Sequence, residues 1–127
     1  MASSSQGQLK QEVIKTYNAI NQDMYVTGVS QQRVEILGDK MVILAEHRRI
    51  PALGLLDDLE PTVAQLVDMI LVRENKRRLA NALGSVVGLK VRTVLKDYDP
   101  VSRLAATVIV FEHAIDGAEK PSGPPSL

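Results

Sequence analysis

Apolar residues near the start of the chain recur at three- and four-residue steps, which is the spacing of one face of an α-helix. They are Leu9, Val13, Ile14, Tyr17, Ile20 and Met24. The pattern predicts a helix over residues 8–25. Gly28 is a suitable end for it, because glycine readily adopts the left-handed conformation that follows many helices. This helix needs a surface on which to pack its apolar face.

The segment after this helix predicts a β-hairpin. Residues 33–37 alternate between apolar and polar side chains, which is typical of a strand with one solvent-exposed face. Gly38 and Asp39 favour a tight turn. Residues 41–46 are then apolar on both faces, which is typical of a strand in the middle of a sheet.

The same order of parts returns in the second half. In residues 89–95, apolar and polar side chains alternate as in the first strand. Residues 97–100 read D-Y-D-P and favour a turn. Residues 104–111 are again apolar on both faces. The predicted faces of this third strand are Leu89, Val91, Thr93 and Leu95 on one side and Lys90 and Arg92 on the other.

A short motif supports the division into halves. Residues 42–47 read V-I-L-A-E-H and residues 108–113 read V-I-V-F-E-H, so V-I-x-x-E-H occurs twice, 66 residues apart. We therefore predict an α+β fold: a two-layer α/β sandwich built as an αββ-αββ pseudo-repeat. Its four-stranded antiparallel sheet has the order 1-2-4-3, because alternating strands suit the edges and apolar strands suit the centre. The helices lie on one face. The other, apolar face then needs a cover, most economically a second copy of the sheet or a partner.

The middle helix carries two apolar stripes that point to nearly opposite sides at about 100° per residue. The first stripe consists of Val63, Leu66, Val67 and Ile70, and the second of Leu79, Ala82, Leu83 and Val86. Either the helix breaks between them, or it is one long rod whose ends pack on different surfaces. The second alternative implies a partner or a dimer mate for the first stripe.

Composition narrows the class of protein. The chain has 127 residues, no net charge, no cysteine and 3% aromatic residues. These values indicate one globular domain over residues 8–116, and they argue against thiol chemistry and against broad binding to nucleic acid. We expect a disordered N-terminus at 1–7, a flexible tail rich in Pro, Gly and Ser at 117–127, no transmembrane segment and a cytoplasmic location.

Candidate chemistry is sparse. His47 and His113 each follow a glutamate, so a metal or acid–base site is conceivable, but antiparallel central strands would hold them apart. No catalytic residue, metal or cofactor is expected. The acidic residues before the middle helix, Asp57, Asp58 and Glu60, are explained by the helix dipole. A basic stretch within the helix could attract an acidic partner surface or could simply be a solvated face. It comprises Arg73, Lys76, Arg77 and Arg78.

Several segments resemble a family of small bacterial domains of the MpsC type, which is named after a membrane-potential-generating system. The similar segments are Y-N-A-I-N-Q at 17–22, Q-R-V-E-I-L at 32–37, P-A-L at 51–53, G-L-K-V at 88–91, L-K-D-Y-D-P at 95–100 and T-V-I-V-F-E at 107–112. Many members carry a Gly-Pro pair where residues 27–29 here read T-G-V, which is typical of a divergent branch. The resemblance implies an accessory role beside membrane proteins that move ions or inorganic carbon.

The function expected from the sequence is that of a non-enzymatic cytosolic interaction protein, a homodimer that assists or regulates a membrane-bound or other bacterial complex. The partner surface would be the basic stretch, and the first stripe of the middle helix would form an apolar contact face. The alternative is a regulatory domain that senses a small ligand in a pocket between the sheet and the helices.

Overall fold

A computed structural model describes residues 2–26 and 29–115 of the chain. Three helices and four strands follow one another in the order αββααββ. Their bounds are α1 Ala2–Tyr25, β1 Val29–Leu37, β2 Lys40–His47, α2 Pro51–Leu59, α3 Pro61–Val87, β3 Val91–Asp99 and β4 Leu104–Phe111. The predicted tail at 117–127 and the predicted helix stop at Gly28 lie outside the described residues.

The first helix ends at the predicted residue but begins earlier. Its buried face is centred on Val13 and Tyr17, which are fully enclosed. The helix closes at Tyr25, and Val26 follows with a left-handed φ of 58°. At the other end the helix continues to Ala2, so residues 2–7 are helical rather than disordered as predicted. An apolar repeat indicates only the part of a helix that packs on the core, so it does not predict the polar residues with which α1 begins.

The sheet has the predicted order, β1-β2-β4-β3, with every neighbouring pair antiparallel. The two doubly apolar strands, β2 and β4, are its centre, and the two alternating strands are its edges. This arrangement confirms the predicted α+β fold, and the helices pack on the sheet. The core between them includes Met41, Ile43, Leu79, Leu83 and Ile109, all buried.

A bulge in β3 changes which side chains face the helices. The register with β4 shifts between Val91 and Thr93, so β3 advances by two residues where β4 advances by one. Leu89 and Val91 still pack against the core, but Thr93 lies on the opposite side. The prediction of one continuous face from Leu89 to Leu95 is therefore wrong beyond Val91. After the bulge, Val94, Lys96 and Tyr98 take the helix-facing positions, which alternate with the outward ones.

The second hairpin turns later than the sequence predicted. Asp97 and Tyr98 still pair with β4, opposite Ala106 and Ala105, and the turn occupies residues 100–103. The side chain of Asp99 accepts hydrogen bonds from the backbone N–H groups of Ser102 at 3.1 Å and Val101 at 3.4 Å. The second aspartate of the D-Y-D-P segment therefore begins the turn, and the first belongs to the strand.

The middle helix is one continuous rod, preceded by a short helix that periodicity did not predict. α2 and α3 each have a proline in the first turn, where the missing N–H is harmless, and Glu60 lies between them. α3 runs unbroken for 27 residues and stops at Gly88, whose φ of 76° is left-handed. Of the two alternatives for residues 61–87, the rod is the one that the fold adopts.

The face of the sheet opposite the helices carries apolar side chains that the described residues leave partly exposed. Leu37, Leu44, Leu95 and Leu104 on this face are each 45–57% exposed. Between them, Val42 and Val108 lie side by side on the two central strands. Apolar side chains from all four strands therefore form a patch on this face, and charged residues such as Arg33, Glu35 and Asp97 lie toward its edges. Such a patch is larger than the scattered apolar residues that ordinary surfaces carry.

Candidate functional site

A pocket lies at the end of the sheet where β2 finishes, beneath α3 and between the ends of α1 and α2. The elements β2, α1, β3 and α3 each bring polar side chains to this end of the sheet. It is lined by Tyr25, His47, Arg48, Arg49, Ile50, Leu53, Asp68, Leu71, Val72, Lys96, Tyr98 and Ala105. The empty space is about 420 Å³, including solvent at the mouth.

His47 is the last residue of β2 and is buried beneath three tyrosine rings. The ring centroids of Tyr17, Tyr25 and Tyr98 lie 5.7, 6.3 and 5.9 Å from that of His47, each close to perpendicular. The phenol oxygen of Tyr17 is 2.6 Å from His47 Nε2. Burial, and secondarily the nearby Lys96 ammonium, lowers the pKa of His47 to about 4, so the imidazole is neutral near pH 7.

Lys96 reaches under the helices from β3. Its Nζ donates to Asn75 Oδ1 at 2.6 Å and to the Tyr17 phenol oxygen at 3.4 Å, and it lies 5.0 Å from the centroid of the Tyr17 ring. Burial lowers the pKa of Lys96 to about 8. The ammonium form therefore still predominates at neutral pH, although the surroundings disfavour it.

Two buried asparagines extend this polar network between α1 and α3. Asn75 Nδ2 lies 3.5 Å from Asn21 Oδ1, and Asn21 Nδ2 donates to the backbone carbonyl of Tyr17 at 2.7 Å. Both side chains are fully buried, so the hydrogen bonds fix the relative position of the two helices. The same network orients Tyr17 and Lys96 toward His47.

Arg49 joins three elements at the rim of the pocket. Its guanidinium forms two hydrogen bonds of 2.7–2.9 Å to Asp57 of α2 and two of 2.7–2.8 Å to Asp68 of α3. The guanidinium carbon also lies 5.9 Å from the centroid of the Tyr98 ring. These hydrogen bonds raise the pKa of Arg49 above its usual value. Asp57 is thus explained by Arg49 rather than by the dipole of α3, because α2 places it a full turn before that helix begins.

The two histidines lie at opposite ends of the sheet, as the antiparallel centre predicts. The backbone N–H of His47 donates to Arg103, just before β4 begins, whereas His113 follows the other end of β4. His113 is exposed. The repeated motif therefore gives two different environments. Within residues 2–26 and 29–115, no three His, Asp or Glu side chains gather as a metal site would require.

Sequence reasoning missed Lys96, Tyr17 and Asn75 as parts of a site. The sequence predicts no role for Lys96, because the bulge in β3 that turns this residue inward leaves no clear mark in the sequence. The one feature of the sequence that indicates an inward Lys96 is its position two residues from Val94 and two from Tyr98, which puts all three on the same face of the strand. It predicts an inward lysine only once the face of β3 is known.

Two cations of the basic stretch are held by neighbouring carboxylates. Arg77 donates to Glu74 at 2.7 and 3.0 Å, and Arg78 donates to Glu74 and to Asp23 of α1, both at 2.8 Å. These contacts lower the pKa of Glu74 to about 2. Arg73 is exposed. Arg78 therefore links α3 to α1, which is a structural role, while Arg73 is available to a partner.

We expect Arg78→Gln to lower the melting temperature more than the matched change Arg73→Gln does. Arg78 connects two helices, whereas Arg73 lies on an exposed face, and exposed charges contribute little to stability. Thermal unfolding followed by circular dichroism compares the two variants with the unchanged protein. Equal melting temperatures for the two variants would contradict the linking role of Arg78.

The first stripe of α3 remains on the surface. Val63, Leu66 and Ile70 are 43–53% exposed, and Val67 is half-buried. α2 packs instead on an adjacent line of the helix, where Ala64 is buried. Arg73 continues the exposed stripe at the same three- and four-residue steps. One face of α3 is therefore apolar toward its N-terminus and basic toward its middle.

No helix in the described part of the chain is both long enough and apolar enough to cross a bilayer. Comparison with known proteins adds no relative. No protein-family model gives a significant match to the chain, and neither does any curated protein or any solved structure.

Proposed function

We propose that the protein is a non-enzymatic interaction protein that works as a homodimer, with the uncovered face of its sheet packed against the same face of a second copy. The observation that carries the proposal is that apolar face, on which four leucines are about half exposed. Face-to-face packing of two antiparallel sheets is a common way to bury such surfaces.

The strand register supports a symmetric arrangement. Arg33 pairs with Leu44, Leu44 with Ala106, and Ala106 with Asp97, so these residues form one row across the sheet. The row has a cation at one edge, an anion at the other and apolar side chains between. A two-fold axis parallel to the strands and between β2 and β4 places β1 opposite β3 of the second copy. Arg33 then lies opposite Asp97 of that copy at both edges.

The size of the face is sufficient for association. Four strands at about 4.8 Å spacing and about 26 Å length give roughly 500 Å² per copy. The total, roughly 1,000 Å², is at the lower end of specific interfaces, so we expect a dimer that forms at micromolar concentration. Arg33 is already 2.7 Å from Glu35 on its own strand, so the dimer would exchange or share this exposed ion pair.

The exposed face of α3 is the surface that we propose for a different protein partner. Leu66 and Ile70 provide apolar contact area, and Arg73 provides charge that would orient an acidic surface. The resemblance to the MpsC type suggests a cytoplasmic setting beside a membrane complex that moves ions or inorganic carbon. We propose that setting as the place where the dimer acts.

One negative charge at the centre of this face of the sheet should dissociate the proposed dimer. Leu44→Glu should convert the protein from twice the single-chain mass of 13.9 kDa to that single-chain mass, because a carboxylate cannot be buried there without a partner. Size-exclusion chromatography with light scattering at micromolar concentration measures both masses. Leu55→Glu changes a leucine on α2 that is also exposed, so it is the matched control and should leave the dimer intact.

Exchanging the charges of Arg33 and Asp97, at the two edges of the sheet, tests the orientation of one copy relative to the other. Asp97→Arg should weaken the dimer by repulsion from Arg33 of the second copy, and adding Arg33→Asp should restore it. A single-chain mass for the unchanged protein would refute the dimer. A dimer that responds to Leu44→Glu but not to the charge exchange would refute only the proposed axis.

A further inference from the structure

Lys96 is a largely buried cation, and the described residues give it no counter-charge. Its two hydrogen-bond partners, Asn75 and Tyr17, are neutral, and no carboxylate of the described residues lies within ion-pair distance of it. The nearest acidic group that lines the pocket, Asp68, has both carboxylate oxygens bound to Arg49. A charge taken out of water usually has a partner of opposite charge, because the cost of desolvation is otherwise not recovered.

The groups around Lys96 are mainly hydrogen-bond donors. A lysine can only donate, so the Tyr17 oxygen accepts from Lys96. The hydrogen bond between the Tyr17 hydroxyl and His47 Nε2 leaves the other imidazole nitrogen, Nδ1, without a part in this network. The Tyr25 hydroxyl, also in the lining, has no hydrogen-bond partner among residues 2–26 and 29–115. The polar end of the pocket is therefore suited to an acceptor rather than to a cation.

One side of the pocket is apolar. Leu53, Leu71 and Val72 form the side toward the helices, and Ala105 lies on the sheet side. Three of the four charged side chains in the lining are positive, the exception being Asp68. The centre of a water-sized sphere can occupy only about 40 Å³ of the pocket, so only a ligand of a few heavy atoms fits inside.

We propose that this pocket binds a small carboxylate with a short apolar body, whose carboxylate pairs with the Lys96 ammonium while its hydrocarbon part contacts Leu71 and Val72. The ligand supplies the counter-charge that the fold lacks, and it accepts hydrogen bonds from the donors around Lys96. The dimer interface lies on the opposite face of the sheet, so the two proposals stand or fall separately.

The first test is isothermal titration calorimetry of the full chain with butyrate, a probe that has both parts of the proposed ligand. Butyrate should bind with one site per chain. Butyramide, which has the same shape without the charge, should not compete. Lys96→Met should weaken butyrate binding at least about tenfold, because a charge-assisted hydrogen bond is lost. Lys90→Met removes an exposed lysine just before the same strand and should leave the affinity unchanged.

A second variant separates the charge from the shape of the pocket. Val72→Phe keeps every charged group and fills the apolar side, so a folded Val72→Phe protein should also lose butyrate binding. Circular dichroism confirms the fold of each variant before titration. The proposal is overturned if butyrate does not bind, if Lys96→Met binds it as tightly as the unchanged protein does, or if inorganic phosphate binds more tightly and displaces it.

Proton uptake gives an independent readout. Burial lowers the pKa of Lys96 to about 8, so a bound anion should raise that pKa and draw in part of a proton at pH 8. The other titratable groups that line the pocket are Tyr25, His47, Arg48, Arg49, Asp68 and Tyr98, and Tyr17 contacts His47 behind them. Titration in two buffers of different ionisation enthalpy measures the uptake, which should disappear in Lys96→Met. Binding without uptake at pH 8 would contradict pairing with Lys96.

Discussion

The free energy of unfolding should fall between pH 6.5 and pH 4, and His47→Gln should make this fall smaller. The pKa of His47 is lowered from 6.5 to about 4 in the fold, so in this range the unfolded chain binds a proton that the folded chain does not. The resulting stability is complete above pH 6.5 and is lost as the pH falls to 4. The difference of about 2.5 units corresponds to about 3 kcal/mol.

Glutamine is chosen because its side-chain carbonyl can accept the hydrogen bond of Tyr17 but does not titrate. Urea unfolding at several pH values between 7 and 4 gives the free energy of unfolding of each protein. Carboxylates with lowered pKa values, such as Glu74 at about 2, are unchanged in the variant and cancel in the comparison. His113→Gln is the matched control, since His113 is exposed, and it should follow the unchanged protein. Parallel curves for His47→Gln and the unchanged protein would mean that folding leaves the pKa of His47 unshifted.

Arg49→Met should lower the free energy of unfolding by about 2–3 kcal/mol. Removing one partner of a buried ion pair costs about 3–5 kcal/mol, because the other partner is left charged without compensation. The Arg49 side chain is 11% exposed, whereas those of Asp57 and Asp68 are 38% and 21% exposed. Water can therefore reach the two carboxylates in part, which reduces the expected loss.

The matched control is Arg48→Met, which changes the exposed neighbouring arginine and should have little effect. Adding Asp57→Asn and Asp68→Asn to Arg49→Met should recover part of the lost stability, because the two uncompensated charges disappear. Chemical unfolding at pH 7 measures all four proteins. If Arg49→Met is as stable as Arg48→Met, then Arg49 does not hold α2 and α3 to the end of β2.

The arrangement of the sheet could be predicted because it depends on side-chain alternation. A strand that is apolar on both faces is stable only in the centre, so β2 and β4 had to be neighbours. The same reasoning predicted one face for the whole of β3, and it was wrong there. A bulge changes the alternation by one residue through a local backbone distortion, and many sequences accommodate it.

The helices show a similar division. The opposite stripes centred on Leu66 and Leu83 correctly indicated that the two ends of the middle helix contact different surroundings. Periodicity could not predict α2, because nine residues contain too few turns to define an apolar face. The pocket depends on both of these details. Without the bulge Lys96 faces outward, and without α2 the pocket has no wall at Leu53.

The continuity of α3 has a mechanical consequence. At 1.5 Å per residue the helix is about 40 Å long, and its C-terminal half is clamped on the sheet by Leu79 and Leu83. The N-terminal half packs against α2 and is bound to the end of β2 through Asp68 and Arg49. Asp68, Leu71 and Val72 of this half line the pocket. Because α3 is one continuous helix, a tilt of the helix at these three residues would also displace Val63 at its far end.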